Sequence, residues 1–250
     1  MSRFYDVKTQ ARVDSVPKKD GKGTRDPTIS DARKPENLWR PSVTTISDVV
    51  SKPFLLTWLQ QQAFESAWGS AQTPMPKDEA WQYYLQQSAI ARDRGSSLHD
   101  KMSRMEECPE TLQTIAWISN QGYVNMEHEV QFAADKYGGT IDFIGYVKEG
   151  ADDYMAVVDI LDFKFVLKDR QPHESELWQL SAYREALIDI GYAVRSVANI
   201  YISQENGHIF STRHWTNDEL ASGYETFKSI INLWENINNY RIGHGQIYKK

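Results

Sequence analysis

The clearest candidates for chemistry are an aspartate and a lysine, Asp162 and Lys164, in the apolar run ILDFKF. If this run is a strand, the two side chains share a face, because successive residues alternate between faces. A buried charge without a partner costs several kcal/mol, so both need one. Together with Asp142 of GTIDFIGYVK, Asp162 would hold Mg²⁺ or Mn²⁺, with the backbone carbonyl of Phe163 as a further oxygen ligand. Lys164 would then orient or help deprotonate a water that attacks phosphorus, or offset the negative charge that develops there. For Asp162 and Lys164 taken alone, an ion pair on an exposed face is the simpler explanation, because residues of such common types recur often by chance.

Four further polar residues are candidates for the same site. His99 lies one turn into a predicted helix, and Glu129 opens a predicted strand. Gln179 and Tyr183 are four residues apart, so they lie on one face of a predicted helix. Each is common as an ordinary structural residue. Asp159 is a second acid in the ILDFKF strand, and the strand period turns it away from Asp162 unless a bulge intervenes.

The elements that position these residues change character along the chain. Helices are predicted to open at residues 51–53 and near 78. Gly95 breaks or bends the helical pattern, a further helix opens near 96 or 97, and another spans 111–120. Runs rich in β-branched and aromatic residues then predict strands at 127–133, 139–148, 154–165, 196–204 and 208–215. Helices are predicted at 174–191 and 218–240. This order predicts an α+β fold, with a central mixed sheet flanked by helices.

Composition limits the class of protein. The chain has 250 residues, 40% apolar and 25% charged, as in globular proteins. The single cysteine, Cys108, excludes an internal disulfide framework, a multi-cysteine zinc site and a protein-ligated iron–sulfur cluster. No run approaches 18 apolar residues, and the N-terminus lacks the apolar core of a signal peptide. We therefore expect no membrane span and a cytoplasmic location.

Charge divides the chain at about residue 40. Residues 1–40 hold ten Lys and Arg against six Asp and Glu, whereas the remainder holds 18 against 28. We predict that residues 1–40 form an extended or flexible basic arm that adds little apolar surface to a core. The arm either contacts phosphates, is simply solvated, or is a structural wrap around the body. Residues 41–250 would form one domain: a helical cap part (41–125), a sheet core (126–215), and a C-terminal helix and tail (216–250).

The motifs, taken in order, resemble those of the RecB-like branch of the PD-(D/E)XK nuclease superfamily. They are RGSSLH, HEVQF, YGGTID, ILDFKF and QLSAY, and their spacing fits throughout a stretch of roughly residues 40–190. The segment RPSVTTISDVVSKPFLLTW is similar to the N-terminal motif of phage-encoded and mitochondrial-maintenance exonucleases of this branch. The chain departs from the branch at Phe165, where Ser or Thr is usual.

The resemblance implies a role for each candidate residue. Asp142 and Asp162 would be metal ligands, and His99 a further ligand or a support for the metal shell. Lys164 would be the catalytic lysine, and Glu129 would support the metal or its waters. The remaining pair would position the DNA backbone or brace the site: Gln179 and Tyr183.

The implied activity is that of a Mg²⁺- or Mn²⁺-dependent DNA exonuclease. It would act on single strands or DNA ends, in phage-type replication, recombination or repair. The alternatives are a structure-specific endonuclease for flaps or branches, and a non-catalytic DNA-end binding protein of the same fold. The expected partner is DNA, and a single-strand-binding or recombination protein is a candidate second partner. Polarity, strand preference and oligomeric state stay open.

Overall fold

The computed structural model describes residues 3–34, 36–50, 76–147 and 156–242. Its strands are β1 (Phe4–Asp6), β2 (Val16–Pro17), β3 (Thr24–Arg25), β4 (Trp39–Pro41), β5 (Asn125–Ala133), β6 (Gly138–Val147), β7 (Val157–Val166), β8 (Ala193–Ser203) and β9 (Ile209–His214). Its helices are α1 (Ile29–Ala32), α2 (Val43–Ser47), α3 (Lys77–Ser103), α4 (Leu112–Ser119), α5 (Glu174–Asp189) and α6 (Asn217–Ile237).

The centre of the fold is a five-stranded sheet in the order β5-β6-β7-β8-β9. Neighbouring strands are antiparallel except β7 and β8, which are parallel. A parallel pair needs a long crossover connection, and α5 lies in the connection between these two strands. The predicted mixed sheet flanked by helices is confirmed.

Both faces of the sheet are covered by helices. One core joins Ile160 of β7 to Leu180 of α5 and Phe227 of α6. The other joins Leu161, the next residue of β7, to Met102 of α3 and to Ile118 of α4. Because both faces of β7 are buried, seven of its ten residues are apolar. The Asp162 side chain is therefore a charge inside an apolar strand, and only 2% of the residue is exposed.

The N-terminal segment is extended, but it contributes more to the core than its sequence predicts. β1 pairs antiparallel with β4 and brings Phe4 next to Trp39, with their ring centroids 6.2 Å apart. Both side chains and Ala32 are buried in the core that α5 and α6 share. The prediction that this segment adds little apolar surface to the core is wrong. The buried residues are too far apart in the sequence to form a periodic pattern, and they meet only when the strands pair.

Of the two effects predicted for Gly95, the break is wrong, since α3 runs through this residue without interruption. A glycine costs about 1 kcal/mol in a helix interior, an amount that packing of the rest of the helix can offset. Met102 and Leu98 anchor the C-terminal half of α3 in the second core. The helix predicted to open at residues 51–53 lies outside the described residues.

Within the described ranges, no helix combines the length and apolar character that a bilayer crossing requires.

Candidate functional site

Three carboxylates lie side by side on adjacent strands of the sheet. His128 pairs with Phe143 and Val130 pairs with Ile141 between β5 and β6. The residues between these pairs, Glu129 and Asp142, therefore lie opposite each other. The register between β6 and β7, continued by one residue, brings Asp142 beside Asp162. The sheet therefore gathers acids from HEVQF, YGGTID and ILDFKF, which are far apart in the sequence.

His99 of α3 completes a group of side chains that could hold a metal ion. One ligand atom each from His99, Glu129 and Asp142 lies within 4.8 Å of the others. The His99 Nδ1 is 3.7 Å from the Asp142 Oδ2, and the centroids of the His99 and Phe165 rings are 5.6 Å apart in an edge-to-face arrangement. Two carboxylates and an imidazole suit Mg²⁺ less than an all-oxygen set and suit Mn²⁺ well. The donor set fits a divalent cation.

Glu129 adopts a backbone conformation that is unusual for a residue with a side chain. Its φ is +50°, although it lies inside β5 and is exposed. A Cβ atom in the left-handed region costs about 1–2 kcal/mol. Strain of this kind is concentrated at functional sites, where it fixes the direction of a side chain. At Glu129 the strain accompanies a carboxylate that joins His99 and Asp142.

The surroundings of Asp142 disfavour its ionised form. Burial, and then the charge of Asp162, raises the pKa of Asp142 to about 7, although His99 and Lys164 act in the opposite direction. The Phe163 N–H donates a hydrogen bond to the Asp142 Oδ2 at 2.9 Å. A bound divalent cation would favour the ionised form of Asp142 by direct attraction.

Asp162 and Lys164 form a close pair beside this group. The Lys164 Nζ is 2.7 Å from the Asp162 Oδ2, and the side chains are 22% and 3% exposed. Burial alone would lower the pKa of Lys164, but Asp162 and Asp142 together raise it above its ordinary value. Lys164 is therefore a cation at neutral pH. The pair is more buried than the exposed ion pair that was the alternative explanation.

The structure reveals another charged residue near Lys164 that the sequence motifs do not single out. Glu176, in the first turn of α5, accepts a hydrogen bond from the Tyr201 hydroxyl at 2.7 Å and pairs with Arg170. Burial would raise the pKa of Glu176, but Arg170 and Lys164 hold it below its ordinary value. No sequence signal distinguishes Glu176 from a solvated charge, because its partners come from other elements.

Gln179 and Tyr183 meet each other, as their spacing on α5 predicts. The Gln179 Nε2 donates to the Tyr183 hydroxyl at 3.0 Å, and the Tyr183 ring packs against Phe132. A Cβ on Gly139 would lie 2.6 Å from the Tyr183 ring, so only glycine allows this packing. Tyr183 is 4% exposed. This burial fits the bracing role better than direct contact with DNA.

Asp159 has structural partners of its own. Its carboxylate accepts hydrogen bonds from the Arg195 guanidinium and the Tyr123 hydroxyl, the latter at 3.2 Å. Because these donors account for the buried charge, Asp159 needs no metal. The role of the Phe163 carbonyl as a ligand stays a prediction.

Comparisons with known proteins give little beyond this geometry. No family model and no curated protein matches the chain. Among solved structures, a Eubacterium rectale protein named "Putative exonuclease" is similar over 66% of this chain and 75% of its own, with 12% identity and a TM-score of 0.32. These values are too low to assign a fold or a function.

The strain at Glu129 predicts an unusual order of stabilities. Glu129→Gly should be more stable than Glu129→Ala by about 0.5–1 kcal/mol, because relief of the left-handed strain exceeds the added entropy of the unfolded chain. Chemical denaturation measures the difference. Glu127, an exposed residue of the same strand, is the control: Glu127→Gly should be less stable than Glu127→Ala. The same order at both positions would contradict the strain.

Proposed function

We propose that this chain is a Mg²⁺- or Mn²⁺-dependent DNA exonuclease of the PD-(D/E)XK superfamily, RecB-like branch, which hydrolyses phosphodiester bonds at single strands or DNA ends in phage-type replication, recombination or repair. The observation that carries the proposal is the meeting of Asp142 with His99 and Glu129, next to the Asp162–Lys164 pair. The ordered motifs and the mixed sheet that joins them support it.

The carboxylates and His99 would hold the cation, which supplies Lewis-acid stabilisation of phosphate oxygens and a water of lowered pKa. The negative charge that binds the cation would come from three carboxylates, those of Asp142, Asp162 and Glu129. Tyr183 braces this arrangement from α5, with its hydroxyl bonded to Gln179. Acids that face a phosphate would only weaken binding without a metal, so the cluster disfavours a non-catalytic DNA-end binding protein.

Lys164 has two conceivable tasks, and its surroundings favour one of them. A lysine that acts as a general base needs a pKa lowered toward neutrality. The pKa of Lys164 is raised instead, by Asp162 and Asp142. Lys164 therefore offsets the negative charge that develops on the phosphate oxygens in the transition state.

We also propose that residues 41–250 form a single nuclease domain and that the basic side chains of residues 1–40 contact DNA phosphates. Tyr5, which lies in this segment, bonds through its hydroxyl to Thr140 of β6. The Arg12 backbone N–H bonds to the side chain of Gln131, two residues beyond Glu129 on β5. The segment thus runs beside the site where a phosphate backbone would approach.

Removal of either central carboxylate should abolish cleavage without loss of DNA binding. Asp142→Asn and Asp162→Asn should each lower turnover by at least about 10²–10³-fold, the loss seen when one transition-state contact is removed. DNA binding should stay or strengthen, because repulsion of phosphate falls. The assay uses 5′- and 3′-labelled single and double strands, with and without EDTA, and so reports metal dependence and polarity together.

Asp159→Asn is the matched control for this assay, because Asp159 is a buried acid of the same strand with structural partners only. It should keep its turnover at a temperature where it is folded. Undiminished turnover of Asp142→Asn or Asp162→Asn at saturating Mg²⁺ would exclude the proposed site.

Lys164→Ala should lose turnover by a similar factor but still bind metal. The lysine is not a ligand, and loss of its positive charge near the carboxylates should leave Mn²⁺ affinity unchanged or higher. Calorimetric Mn²⁺ titration and the same cleavage assay check the two parts. Lys168→Ala, a change at an exposed lysine just beyond β7, should alter neither. Loss of Mn²⁺ binding together with turnover in Lys164→Ala would contradict this division of roles.

A further inference from the structure

Asp162 has a second partner besides Lys164, and the sequence motifs do not include it. The Nδ2 of Asn199 donates a hydrogen bond to the Asp162 Oδ2 at 2.8 Å. Asn199 is the β8 residue that pairs directly with Asp162 across the parallel strands, and it is fully buried. The Asn199 and Lys164 donors thus meet the same carboxylate oxygen. Among the described residues, no hydrogen bond reaches the other oxygen, Oδ1.

A neighbouring tryptophan fixes the orientation of the Asn199 amide. The Trp215 Nε1 lies 2.7 Å from the Asn199 Oδ1. An indole N–H can only donate, so the oxygen of the Asn199 amide must face Trp215. The NH₂ group then has to face Asp162. Asn199 therefore cannot turn its oxygen toward the carboxylate without breaking both hydrogen bonds.

Trp215 makes two further contacts that hold it in place. Its backbone N–H donates to the Val197 carbonyl at 3.0 Å, and the Arg213 guanidinium stacks 4.6 Å from the centre of its ring. Arg213 pairs with Glu219, whose carboxylate also accepts from the N–H and hydroxyl of Thr216, the N-cap of α6. The start of α6 is thereby linked through Arg213, Trp215 and Asn199 to the site.

We propose that Asn199, oriented by Trp215, is a positioning residue that presents Asp162 to the metal site. This inference rests on the proposed function. Two donors hold the Asp162 Oδ2 and leave Oδ1 as the oxygen available to a cation. Partners that orient a metal ligand are worth about 10–100-fold in metal affinity or activity. Asn199 acts through Asp162 and makes no contact of its own with substrate.

Two substitutions test the link at different points. Asn199→Leu removes the donor at similar volume, and Trp215→Phe keeps a ring for Arg213 but frees the Asn199 amide to flip. Calorimetric titration with Mn²⁺ alone should show affinity lowered about 10–100-fold in Asn199→Leu and by a smaller factor in Trp215→Phe. The Mn²⁺ concentration for half-maximal cleavage should rise in parallel, while turnover at saturating Mn²⁺ recovers toward the wild-type value. Trp215→Phe keeps the test usable if Asn199→Leu does not fold.

Gln204→Leu is the matched control, because Gln204 is a buried amide just beyond the end of β8 and donates to the Phe165 carbonyl at 2.9 Å. It should lose stability but bind Mn²⁺ as the wild type does. Equal affinity in wild type and both site variants, or equal weakening in Gln204→Leu, would overturn the positioning role. If the wild-type protein binds Mn²⁺ but does not cleave DNA, the proposed nuclease function is wrong. The proposal that Asn199 positions a metal ligand then still stands. Absence of Mn²⁺ binding by the wild type would overturn both.

Discussion

Mutual repulsion between carboxylates is the constraint on which the site depends. Glu129 and Asp142 bring oxygens within 4.8 Å, and Asp162 lies on the next strand. Two unit charges at this distance repel by about 1 kcal/mol in water and about 3 kcal/mol at the effective dielectric of a protein surface. Burial, and then the charge of Asp162, raises the pKa of Asp142. The sheet must hold the acids together without a counter-charge of equal size.

The surrounding residues can be understood as responses to that constraint. Lys164 supplies one positive charge, and the His99 ring lies close to Asp142. Asn199 adds a neutral donor to Asp162, and the two covered faces of the sheet exclude water around it. The described residues supply less positive charge near Glu129 and Asp142 than these two carboxylates require. A divalent cation is the simplest group that supplies it with oxygen and nitrogen ligands.

Much of this arrangement can be predicted from the sequence. The parts that cannot be predicted share one physical reason. The strands around Asp142 and Asp162, the crossover helix and the meeting of Gln179 with Tyr183 are local or periodic features. The spacing of apolar and polar residues along the chain sets these features, so one sequence is enough to predict them. Glu176, Asn199 and Trp215 carry no periodic signal, because each acquires its role from a partner on another element. The N-terminal segment follows the same rule: Phe4 and Trp39 become core residues only when β1 pairs with β4.

The most direct measurement of the central claim is thermal unfolding with and without Mn²⁺, for wild type and Asp142→Asn. If the carboxylates are a cation site, Mn²⁺ at about 100 times its dissociation constant should stabilise the wild type by about 2.7 kcal/mol. Without metal, Asp142→Asn should be at least as stable as the wild type, because the substitution relieves the repulsion, and Mn²⁺ should not raise its Tm. A Tm that Mn²⁺ leaves unchanged in the wild type, or raises equally in both proteins, would contradict the account.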